Sequence, residues 1–464
     1  MHRKLLYILH TLLLVVFFMI TTYFVATSQP LVFVPVQEDA TFINALSAKY
    51  DAQFKEELAS LPKENKKDFE KVYKMRWDNV TEIFDKKEMY TSVSARQYLD
   101  ALVAEIVKSN PVLQQQHFNC YFSRSGVPNA GYIGEGIILF NMGLFKRLEN
   151  ESQAVFILCH EISHFYLGHS EKSINQYVAS INSMETQNEL RKIKGNEYGK
   201  RQQVDNLLKG LTFDFRRHGR DHESQADSMA IEFMRHTRYD IAESLTTLAL
   251  LDSIDTDTFD MTACLSKTFD AKDYAFQKKW IVKEEGLLGG HAQLKEDKIL
   301  TDSLKTHPDC KLRIQILEPM VSRYQTPGTV KNVVNKSKFT EFKNTFSYEI
   351  VEFAYSTDNF TRSLFYTLEL MESKPGDPYL IAQVGKIFNG FYAAQKAHKL
   401  GKLIDLPSPY YPANYNLLLQ FVQNLYLENY ASVSYHFLKQ YYPSLAYYPP
   451  FVNAFDTSKK IAEL

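Results

Sequence analysis

The pentapeptide His160-Glu161-Ile162-Ser163-His164 lies inside a run of apolar residues, and no other feature so narrows what this chain can fold into. A helix places residues four apart on one face, one turn above each other, so both imidazoles can reach a single metal ion. Glu161 points toward the same cavity and can take a proton from a water that the metal polarises. From Ala154 the segment reads Ala-Val-Phe-Ile-Leu-Cys, and after the motif it continues Phe165-Tyr-Leu-Gly168. It is apolar on nearly every face and belongs in the interior. Burying two histidines and a carboxylate there is costly unless each has a partner. The triplet therefore predicts a metal site in preference to two satisfied core histidines and a salt-bridged glutamate.

The rest of the chain sets the context. Its 464 residues suffice for about two or three domains, and a net charge of -1 gives no footprint for nucleic acid. His2-Arg3-Lys4 precede an apolar stretch from Leu5 to Ala26, and Ala26-Thr27-Ser28 offers a small-x-small cleavage site. Residues 1–28 read as a signal peptide or a single N-terminal membrane anchor, which places the body outside the cytoplasm, in the periplasm or envelope. No later segment is long and apolar enough to span a bilayer. Cys120, Cys159, Cys264 and Cys310 form no CxxC pair, which argues against a structural zinc knuckle. In an oxidising compartment they allow two disulfides. Cys159, directly before His160, faces about 100° round the helix from it and reads as core.

Residues 40 to 110 carry apolar positions at helical spacing and end at Asn110-Pro111, a helix stop. Phe118–Phe122, Ala130–Ile133 and Gly136–Phe140 read as short strands with glycines between them. A helix is expected from Asn141, and Asn150 is placed to cap the next one. The charged stretch from Ser170 to Phe215 reads as a solvated arm, and Asp221 to Arg238 as a helix packed through Ala226, Met229, Ala230, Phe233 and Met234. A second domain is expected from near Lys331. It consists of helices punctuated by Pro375, Pro407, Pro412 and Pro443, with Asn359, Phe360, Ser363, Leu370 and Pro375 at the offsets of a tetratricopeptide unit.

A catalytic zinc takes three protein ligands and keeps one position open. His169 is nearest in sequence, but on a continuous helix it lies about 140° from His164. Glu223 in Glu223-Ser-Gln-Ala-Asp227 is the better candidate. The two carboxylates share a helical face, so Glu223 can bind the metal while Asp227 holds a ligand histidine. His222 and His218 are alternatives, although His222 faces about 100° away from Glu223.

Four segments in order resemble the gluzincin family of CAAX prenyl proteases, HtpX-type peptidases and soluble envelope peptidases. They are Asn129-Ala130 with Gly134-Glu-Gly136-Ile-Ile-Leu, Gly143-Leu-Phe145 through His160-Glu-Ile-Ser-His164 to His169, Glu223-Ser-Gln-Ala-Asp227, and Thr306-His307-Pro308 with Arg313-Ile314. The resemblance covers roughly residues 70 to 320 and is closest to the exported branch. It implies an α+β zincin-like catalytic domain over 29–330, mostly helical with a small sheet, followed by an all-α, tetratricopeptide-like domain over 331–464. It implies one Zn2+ per chain on His160, His164 and Glu223, with Glu161 as catalytic base and Asp227 supporting a ligand. His307 is implied near the metal, as an inhibitory ligand or a transition-state contact, and His169 as a family position that does not bind metal. Gly136, Ile137, Ile138 and Leu139 are expected to form the edge strand that pairs an extended substrate. The implied substrates are misfolded or misassembled envelope proteins, with an envelope partner docking on the C-terminal helices. The rival expectation is a helical-repeat adaptor or holdase whose metalloprotease domain is latent.

Overall fold

Two helices with charged outer faces, α1 (Ala40–Ser60) and α2 (Lys66–Asp85), lead into α3 (Val93–Ser109), which stops before Pro111. The computed structural model describes residues 32–134, 136–195, 219–254, 256, 259–282, 310–324, 329–408 and 411–463. The apolar runs after α3 form β1 (Asn119–Ser123), β2 (Ala130–Gly134) and β3 (Ile137–Asn141). Gly134 and Gly136 have φ of +107° and +71°, so the sharp link between β2 and β3 uses backbone that other residues rarely adopt.

The sheet order is β1-β3-β2, with β1 parallel and β2 antiparallel to β3. This corrects the expected substrate strand. Gly136, Ile137, Ile138 and Leu139 lead into and occupy the central strand, whose two sides are both paired, so they cannot accept a further strand. The free edge beside the motif helix belongs to β2. Side chains alternate across the sheet as the pleat requires. Cys120, Phe122, Ile138 and Phe140 enter the main core, whereas Tyr121, Ile137 and Leu139 pack on Ile43, Val80 and Phe84 of α1 and α2.

After the short α4 (Met142–Phe145) comes the motif helix, α5 (Glu151–Tyr166). The Asn150 side chain accepts a hydrogen bond from the Gln153 amide at 3.1 Å and caps it. Every residue from Glu151 to Ser163 is buried, with α5 packed between α3, β2 and a later helix. Gly168, at φ +63°, ends this run and lets a new helix, α6 (His169–Asn182), start at once. There follow α7 (Met184–Gly195), a helix α8 whose described part is 219–234, α9 (Glu243–Ser253), α10 (Met261–Phe269) and α11 (Cys310–Arg323).

The remaining helices are α12 (Lys336–Ser356), α13 (Phe360–Ser373), α14 (Pro378–Lys396), α15 (Ala413–Asn424), α16 (Leu427–Leu445) and α17 (Pro449–Ala462). They make the all-α region that follows the mostly helical first region and its small sheet. Gly385 lets α14 approach α16, since a Cβ there would meet Leu438 Cδ1 at 2.6 Å. Helix α15 contacts α13 and α10.

The two cores do not divide at residues 330 and 331. Phe339, Phe342, Phe346 and Ile350 of α12 enter the first core, and Met261, Leu265, Phe269 and Trp280 enter the second. Buried Arg124 and Glu349 pair at 3.2 Å across this junction, and both also hold the backbone of Val36. None of the four cysteines forms a disulfide among the described residues, contrary to the pairing allowed for them. Each is buried in its own helix or strand, and burial pushes the Cys120 and Cys159 thiols up, as for inert core thiols. No described helix is long and apolar enough to cross a membrane. The segment 1–28 and residues His218, Thr306, His307 and Pro308 lie outside the described residues.

Candidate metal centre

Helix spacing stacks His160 and His164, and their Nε2 atoms face each other at 3.1 Å. Helix α8 crosses this face and delivers Glu223. Its Oε2 lies 3.4 Å from His160 Nε2, and its Oε1 lies 3.3 Å from His164 Nε2. Three side chains from two helices thus bring two imidazole nitrogens and the two oxygens of one carboxylate around one point. A tetrahedral zinc with nitrogen and carboxylate ligands separates neighbouring donors by about 3.3 Å, so this donor set fits that ion. The His164 and Glu223 side chains are 17% and 34% exposed, which leaves the cluster open to solvent on one side.

Asp227, one turn beyond Glu223, places Oδ1 2.9 Å from His160 Nδ1. It is almost fully buried and is gripped from behind by Arg313 of α11, through two hydrogen bonds of 2.7 Å. Arg313 also lies 3.5 Å from Glu223 Oε2. Burial by itself would raise both carboxyl groups. The imidazole of His160 and the Arg313 guanidinium outweigh it and hold Asp227 low, and with His164 they hold Glu223 well below the usual range. Burial would likewise lower His160, but hydrogen bonds to Asp227 and Glu223 push it up to about 10. This is the electrostatics of a pocket that favours a cation between His160 and Glu223.

Glu161 is 9% exposed, and its Oε2 accepts a hydrogen bond from the Tyr132 amide at 2.8 Å. That amide lies on the unpaired side of β2, so the strand edge and the candidate base adjoin.

Residues 94–321 match the sequence model of peptidase family M48. That segment belongs to peptidase family M48. The chain is therefore a metalloprotease, a peptide-bond hydrolase of a zinc-dependent family. No curated protein matches it. Helices α1 and α2, and everything from α12 onward, lie outside the matched M48 segment.

Within the M48 domain the structure brings together His160, His164, Glu223, Glu161 and Asp227, and it sends Gly136 to Leu139 elsewhere. Three contributors escaped sequence reasoning. Arg313 was visible as half of an Arg-Ile match, without a role. Tyr132 acts through its backbone, which no side-chain pattern reports. On a continuous helix His169 lies about 140° from His164, but the chain turns at Gly168 and sets it beside that histidine, outside the donor set. Its Nδ1 lies 3.0 Å from His164 Nδ1 and its Nε2 3.2 Å from Gln225 Oε1. His222 stacks on the His169 ring at 4.2 Å.

Proposed function

We propose that this chain is a zinc endopeptidase of the cell envelope, with one zinc held by His160, His164 and Glu223 and with Glu161 as its catalytic base. The observation that carries the reading is the convergence of three donor side chains, with the two imidazole nitrogens 3.1 Å apart and the two Glu223 oxygens at 3.3 and 3.4 Å from them, beside that glutamate. Zinc bound there supplies a Lewis acid for the scissile carbonyl and for water. Glu161 is held at one oxygen by the Tyr132 amide, and its other oxygen takes the water's proton and returns it to the leaving amine. An extended substrate pairs with the free edge of β2, which sets its scissile bond beside Glu161. Asp227, backed by Arg313, holds His160 with Nε2 turned to the metal.

The apolar stretch from Leu5 to Ala26 behind His2-Arg3-Lys4 supports an extracytoplasmic location, by cleaved signal or single anchor. Misfolded or misassembled envelope proteins are then the substrates within reach, and the all-α region outside the matched segment is the place for a protein partner. Whether His307 meets the metal belongs to the same proposal.

Zinc content and casein cleavage test it in the wild type and in Glu161→Gln. The variant should keep zinc and lose about 100- to 10,000-fold in rate. Turnover retained in that variant would sink the mechanism. Envelope defects rescued by it would favour the adaptor reading.

A further inference from the structure

We propose that His169 is the positioning residue that fixes the orientation and tautomer of His164, and that Gln225 in turn fixes His169. The inference rests on the metal site proposed above. With His164 Nε2 turned to His160 and Glu223, its Nδ1 must carry the proton and donate. The atom that faces it at 3.0 Å is His169 Nδ1, which must therefore accept. A neutral imidazole that accepts at Nδ1 carries its proton on Nε2. That nitrogen lies 3.2 Å from Gln225 Oε1, which can only accept. Each proton in the chain from His164 to His169 to Gln225 has one consistent position.

The backbone is built for this contact. Gly168, in the left-handed region at φ +63°, breaks α5 and makes His169 the first residue of α6. The His169 side chain thereby folds back under His164 and is buried, 3% exposed, with the His222 ring stacked on its face. Helix α8 thus serves both ligand histidines. Asp227 orients His160 with a carboxylate, and Gln225 orients His164 through a neutral histidine. One support is charged and the other is not, so the centre gains a second oriented imidazole without another buried negative charge.

The test is zinc affinity of the full chain by chelator competition, with thermal unfolding of the zinc-free proteins as the folding control. His169→Ala removes the acceptor and should weaken zinc about 10- to 100-fold. His169→Asn offers a carbonyl where Nδ1 stood and should restore affinity to within about threefold of wild type. Gln225→Leu should weaken zinc in the same direction by less. His169→Ala with wild-type affinity would overturn the proposal, as would a His169→Asn protein that folds and binds no better than the alanine variant. His164→Ala separates the two readings. If it binds zinc as the wild type does, the metal site itself has been misassigned.

Discussion

The two ends of helix α5 each gather polar groups, and they treat them in opposite ways. Glu151, in the first turn and fully buried, accepts backbone hydrogen bonds of 2.7 Å from Val333, Val334 and Asn335. The Tyr98 hydroxyl adds another at 3.0 Å, and burial followed by the Glu151 charge raises that phenol's pKa. The carboxylate also faces the positive end of the helix dipole. Its charge is satisfied on every side, and it pins the start of α12 to the motif helix. At the other end, two ring nitrogens and both oxygens of the Glu223 carboxylate crowd together at 3.1 to 3.4 Å and do not form such a closed set. Those atoms make sense together around a cation. A buried charge with saturated hydrogen bonds is structure, whereas converging lone pairs open to solvent are chemistry.

That contrast can be broken from either end. The largest effect should come from His164→Ala, which removes one of three donors. Zinc, measured by metal analysis, and peptide cleavage should both fall to background, and stoichiometric zinc with full cleavage would refute the assignment. Next is Glu151→Ala, which strands buried amides and should cost about 3–5 kcal/mol in urea unfolding. A loss below about 1 kcal/mol would show that the N-terminal carboxylate is not structural.

Arg313→Met probes the support of the metal end. Asp227 then loses its two hydrogen bonds, and zinc affinity should drop by about 10- to 100-fold. Unchanged affinity would mean that Asp227 orients His160 without help.

The smallest effect is expected at Glu369 on α13, which pairs with Lys146 and Arg147 at 2.8 Å across the junction between the cores. Burial opposes its ionisation, but the two cations prevail and lower its carboxyl from the usual 4.5. A group depressed on folding stabilises above its unfolded pKa, so this contribution is present above pH 4.5 and lost as pH falls through the lower folded value. Glu369→Gln should cost about 1–2 kcal/mol at neutral pH and flatten the acid limb of the stability profile. An acid limb identical to wild type would remove Glu369 from that role.

What could be read in the sequence was what is local along the chain. Two histidines at helical spacing, a glutamate between them and an asparagine cap before them are set by the period of one helix. So are Glu223 and Asp227, four apart on another. The strand runs were equally plain, because alternation and glycine punctuation are short-range signals. Which strand lies at the edge was not, since the parallel pairing of β1 with β3 places β3 in the centre and depends on residues far apart. The crossing of core residues over position 331 was not legible for the same reason: α12 has apolar faces for two cores, and a composition shift cannot say which core takes each face.

The sequence by itself determined that one helix carries a candidate metal-binding face and which side chains it offers, because helix geometry turns spacing into a shared face. Only the tertiary structure decided how those side chains are held. Asp227 comes to His160 from 67 residues further on, and Arg313 comes to Asp227 from another 86. His169 reaches its place by a single left-handed glycine that ends one helix and begins the next. Hydrogen bonds and charge act over a few ångströms of space and take no account of distance along the chain, so the centre is completed by folding.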